Sequence, residues 1–175
     1  MTPDDRLANV WKDLQEFCLI SNLAYQTKRE LDPRMVSEVM LSIVYRLLHL
    51  DFENEPVNEV IRVGLIGFAT TIFLGGKGAR RRYDHFAGVF RGVLGFPESS
   101  VDLPPAFQLW LLFTWCVYAG ADFSDSWQAS WQSKILQHLE VRIWDAVRKV
   151  LKSVMWVAFL HDPDGRRVFE DSSWR

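Results

Sequence analysis

Between Val63 and Leu74 the chain carries no charged residue, and from Leu103 to Ala121 it again carries none. A helix without a charged face has no side to give to water, so each such segment must be surrounded by other apolar elements. The second begins with Pro104 and Pro105 and contains Gln108, and its strongly apolar part is about fourteen residues, short of the about 20 that a membrane span needs. Both therefore read as core helices, and no membrane association is expected.

The flanking sequence supplies the surrounding helices. Residues 33–50 place Met35, Val36, Val39, Met40, Ile43, Val44, Leu47 and Leu48 on a 3.6-residue period, a wide apolar face. Asp32 is suited to cap this helix and Pro33 to occupy its first position, where the missing N–H costs nothing. A helix over 56–74 starts at Pro56 and stops at Gly75, with Gly64 and Gly67 in its interior. Glycine there costs about 1 kcal/mol relative to alanine, so a close neighbour should repay it. Further helices are predicted over 5–25, 84–95, 104–119, 126–139 and 142–160, the last with Trp144, Val147, Leu151, Val154, Met155 and Ala158 as its apolar stripe. No alternating strand pattern of convincing length occurs. With 175 residues, 49% hydrophobic and 24% charged, the chain reads as all-α, a single helical domain of about seven helices over 1–175.

Few residues invite chemistry. The formal charge of −2 gives no basis for drawing the whole domain onto nucleic acid. Cys18 and Cys116 lie far apart inside apolar patterns and read as reduced and buried, and the N-terminus lacks the pattern of a secretory signal. GGKGARRR at 75–82 lacks the GxxxxGK[ST] order and the preceding strand of a phosphate-binding loop. It reads as a solvated loop in which Arg80, Arg81 and Arg82 are the candidate contact for an acidic partner. Two cysteines and four histidines, all widely separated, make no zinc set, and no nucleophile motif is present, so neither metal, cofactor nor catalytic residue is assigned. HDPDG at 161–165 reads as a helix exit: His161 at a helix C-terminus, favoured in its charged form, then Asp162 before Pro163, then an Asp164–Gly165 turn with Gly165 at positive φ. The Trp-rich stretches LWLLFTW and SWQASW make Trp110, Trp115 and Trp131 the candidate lining of an apolar ligand site.

The order SEVMLSIVYRLLHLDF, VNEVIRVGLIGFATTIFL, YDHFAGVFRGVL, LPPAFQLWLLFTWCVYAG and IWDAVRKVLKSVMWVAFLHDPDGRRVFED resembles the fungus-specific transcription factor domain, over about residues 33–171. In many fungal regulators this helical regulatory region lies downstream of a binuclear zinc-cluster DNA-binding domain. The six-cysteine cluster and its basic residues are missing here, so the resemblance implies no specific nucleic-acid binding by this chain. It implies a nuclear or cytoplasmic regulatory module, non-catalytic, that acts through a protein partner, self-association or a small apolar effector. The alternative is a small helical protein that binds an apolar metabolite, with or without an enzymatic action on it. An exposed apolar patch over a filled core would favour the first reading, and an enclosed void beside the tryptophans the second.

Overall fold

The computed structural model describes residues 4–75, 84–94, 103–119 and 126–171. Among them are eight α-helices and no strand: α1 Asp5–Gln26, α2 Pro33–Leu48, α3 Pro56–Gly75, α4 Asp84–Leu94, α5 Pro105–Ala119, α6 Ser126–His138, α7 Trp144–Val154 and α8 Ala158–Asp171. The all-α class thus holds, and the count exceeds the expected seven because the segment read as one helix over 142–160 is broken at Met155.

The two uncharged helices form the centre. α3 packs on α1, α2, α4 and α5, α5 packs on α3, α4, α6, α7 and α8, and α1 also reaches α8. Along α5, Leu109 to Phe113 are all fully buried, as a helix with no polar face requires. By length and composition Pro56–Phe73 of α3 would also suffice to cross a membrane, yet 61% of it is buried by its neighbours in the fold. Both interior glycines of α3 mark close approaches. A Cβ on Gly64 would lie 2.5 Å from Leu111 Cδ2, and one on Gly67 would overlap Phe90 Cε1. The rings of Trp11, Phe68 and Phe107 surround Trp110, with centroids 5.3–6.0 Å away.

Helix starts follow the sequence. Asp4 Oδ1 accepts the Arg6 N–H at 2.9 Å to cap α1, and Asp32 Oδ1 accepts the Arg34 N–H at 2.9 Å to cap α2, with Pro33 in the first turn. The ends of α1 and α6 carry no glycine. Instead Lys28 and Glu140 adopt left-handed backbone, each at φ 54°. Arg29 N–H reaches the Ala24 carbonyl at 2.8 Å and Val141 N–H the Leu136 carbonyl at 3.1 Å, which makes both ends Schellman motifs.

The exit expected at HDPDG is overturned. α8 runs straight through His161–Gly165 with Pro163 in its second turn, and the chain leaves helical geometry earlier, at Met155 (φ −169°, ψ 135°). The cause is tertiary. Gln15, Cys18 and Asn22, at i, i+3 and i+7 on α1, face the broken backbone and satisfy it. Gln15 Nε2 donates to the Val154 carbonyl at 2.8 Å, and the Trp156 N–H points to the Cys18 sulfur. Asn22 Nδ2 donates to the Trp156 carbonyl at 2.7 Å while its Oδ1 accepts the Ala158 N–H at 2.8 Å. With the break placed there, Pro163 forfeits only one bond, to the carbonyl four residues before it in the first turn. Gly165 lies within the helix rather than in a turn. Its missing Cβ leaves room for two indoles, since that atom would stand 2.9 Å from both Trp144 Cη2 and Trp156 Cζ2.

Candidate interaction surface

His161, the histidine of the HDPDG stretch, is a structural residue. It is buried in the first turns of α8, not at a helix C-terminus, and the dipole there disfavours a cation. Its Nδ1 accepts the Val157 N–H at 3.3 Å, which leaves the proton on Nε2 to be donated to Thr71 Oγ1 at 3.0 Å; the Thr71 hydroxyl donates on to the Phe68 carbonyl at 2.6 Å. Burial pushes the imidazole down to about 3, so it is neutral in the folded state. Asp162 is engaged too, accepting the Trp156 Nε1–H at 2.9 Å and pairing with Arg148 Nε at 2.7 Å. Among the described residues no three His, Cys, Asp or Glu side chains stand together as a metal set. Burial raises both thiols, that of Cys18 to about 12.

Trp110, Trp115 and Trp131 are all buried. Trp110 sits in the aromatic cluster with Trp11, Phe68 and Phe107, whereas Trp115 packs edge-on against Phe90 at 5.4 Å and beside Tyr118 at 6.3 Å. Trp110 Nε1 and Thr114 Oγ1, one turn apart on α5, are buried without a hydrogen-bond partner. Arg80, Arg81 and Arg82 lie outside the described residues. A cleft of about 800 Å³ lies between the α6 end and α8, bordered by Leu136, Glu140, Arg142 and Phe169.

The least expected feature is on the outside. Of eleven large apolar side chains exposed among the described residues, eight belong to α1 and α2, so exposure is concentrated rather than scattered. On α1, Leu19, Ile20, Leu23 and Tyr25 are more than half exposed within an uncharged run from Phe17 to Thr27, and Tyr25 stacks on the exposed Phe159 at 4.8 Å. On α2 Met40, Ile43 and Leu47 are buried in the core, and Val36, Val39 and Val44 pack against it partly buried. The wide apolar face predicted for this helix is narrower than its residues suggested: Met35 and Leu48 face outward, and Leu41, Tyr45 and Leu48 form a second stripe at i, i+4 and i+7 on the solvent side. Leu41 and Tyr45 belonged to no predicted site, and the signal that could have found them is an apolar set too large for one helix face.

Between the two helices runs a groove of about 450 Å³. Phe17, Ile20, Met35 and Val39 supply its apolar lining, and Asp13, Glu16, Glu38 and Arg46 its charged one. Arg46 is committed to Asp13 at 2.6 Å. No family model, no curated protein and no solved structure matches the chain.

Proposed function

We propose that this chain is a non-catalytic helical interaction module, working as a regulatory domain in the nucleus or cytoplasm in the manner of the fungal regulators its helix order resembles. The supporting observation is the concentration of exposed apolar side chains on α1 and α2, a surface whose burial against a partner would be favourable. His161 and Asp162 are engaged in joining α8 to α3 and α7. A second reading, an apolar metabolite carrying one polar group, is favoured by the unpartnered Trp110 Nε1 and Thr114 Oγ1 alone.

One experiment separates the two. The native protein and a Leu41→Glu/Tyr45→Glu variant are purified from the same host, and both co-purifying proteins and solvent-extractable small molecules are identified by mass spectrometry. The module reading expects a stoichiometric protein partner that the double variant loses while keeping its fold. A stoichiometric apolar molecule held equally by both forms, and lost in Trp110→Ala, would overturn it in favour of the metabolite reading.

A further inference from the structure

We infer that the α1–α2 groove receives a basic amphipathic helix of a partner protein. This rests on the interaction-module reading and names the partner's chemistry. The groove has the two elements that helix-in-groove recognition uses: an apolar floor for anchor side chains at i, i+3 or i+4 and i+7, and charged walls that fix orientation.

Its length fits. Met35 and Arg46 line opposite ends along α2, a rise of about 17 Å, which is about three turns of a docked helix. Phe17 and Val39 are the more buried of the apolar lining, and Ile20 and Met35 stand exposed beside them, so an incoming Leu, Ile or Phe would cover surface that water now touches.

Its charge selects the sign of the partner. The groove's charged residues are three acids and one base, and the base is paired with Asp13, which leaves the exposed carboxylates of Glu16 and Glu38 on the two helices to face whatever enters. Lysine or arginine flanking the apolar anchors would meet them, and complementary charge governs encounter rate and discrimination between partners. A second copy of this chain docked groove to groove would bring these same carboxylates toward one another. An anionic membrane surface would be repelled by them.

The test uses the full chain with two 18-residue amphipathic peptides of identical leucine spacing, one with lysine and one with glutamate at the polar positions, titrated at about 0.1 M salt. Binding is read by methyl resonances of Ile20, Met35 and Val39 and by calorimetry. The inference expects the lysine peptide to bind with shifts centred on those three methyls, and the glutamate peptide not to bind. The variant Glu16→Lys/Glu38→Lys, both positions exposed, should keep its melting temperature, weaken the lysine peptide at least about tenfold and acquire affinity for the glutamate peptide. Lysine-peptide binding that is unchanged by the reversal, or shifts mapping elsewhere, would overturn it. So would a concentration-dependent dimer in sedimentation equilibrium that Ile20→Glu dissolves, or tight binding of phosphatidylserine vesicles through the same methyls. A failure here alongside a partner lost on Leu41→Glu/Tyr45→Glu would remove the groove assignment and leave the module reading standing.

Discussion

The neutral His161 makes the fold sensitive to mild acid. Its pKa falls from an ordinary 6.5 to about 3 because burial disfavours the charged ring, so the unfolded chain binds a proton between those values and the folded chain does not. The histidine's contribution is therefore complete above about pH 6.5 and is lost as pH falls toward 3, at about 1.4 kcal/mol per pH unit within that window. Urea unfolding at pH 7, 6, 5 and 4.5 should show this slope in the native protein, and His161→Gln should flatten it; an equal slope in both would place the titrating group elsewhere. Gly165 gives a second residue-scale contrast. Gly165→Val must displace the Trp144 and Trp156 indoles and should cost about 1–3 kcal/mol, as overpacking does, more than Asp164→Ala, which acts on a partly exposed side chain paired at 3.8 Å with Arg167. That glycine's importance was legible in the sequence, but for another reason: the Asp-Gly pair suggests a turn, and only the two tryptophans brought in from outside α8 show that the requirement is space.

At the scale of elements, helix starts were readable, and so was the stop of α3 at Gly75, but the means by which α1 and α6 end was not. Asp32–Pro33 and Pro56 state their roles in adjacent residues, while the stops at Lys28 and Glu140 place ordinary side chains in a left-handed conformation that glycine adopts without strain. Lys28→Gly and Glu140→Gly should each leave the fold unchanged and raise stability by about 0.5–1 kcal/mol, since the relief of backbone strain exceeds the added chain entropy; lower stability in chemical denaturation would show that these side chains hold something in place. The α7–α8 break was illegible for a plainer reason. Residues 154–158 contain no breaker, and the groups that make the interruption tolerable sit well over a hundred positions earlier on α1. Asn22 alone satisfies a carbonyl and an N–H there, so Asn22→Ala should orphan both and cost about 2–5 kcal/mol. Amide exchange should then quicken first at the start of α8. Uniform quickening across all helices, or none, would mean that the break is held by its own residues.

For the molecule as a whole, burial is layered around α3 and α5, and α2 is an outer helix resting on α1 and α3. The sequence made the inner pair evident, because a helix without charge has nowhere else to go. It did not distinguish, among the apolar residues of α2, those that meet the core from those that meet solvent, because periodicity records which residues share a face and not which face is covered. Leu47 and Leu48 are neighbours in the chain with opposite fates: the first is fully buried and the second 62% exposed. If the outer stripe exists to meet a partner, it contributes nothing to the free monomer. Leu41→Lys/Leu48→Glu should then change stability by no more than about 0.5 kcal/mol per site, the usual range for surface substitutions. Leu47→Ala should cost about 2–5 kcal/mol, through lost burial and the cavity left beside α3. Urea unfolding of the three proteins at matched micromolar concentration, repeated at tenfold dilution, decides the matter. A double variant that loses several kcal/mol only at the higher concentration would show that the stripe is covered by another copy of the chain. A loss at both concentrations would place it inside the monomer's own core and remove the basis for treating α1 and α2 as a docking face.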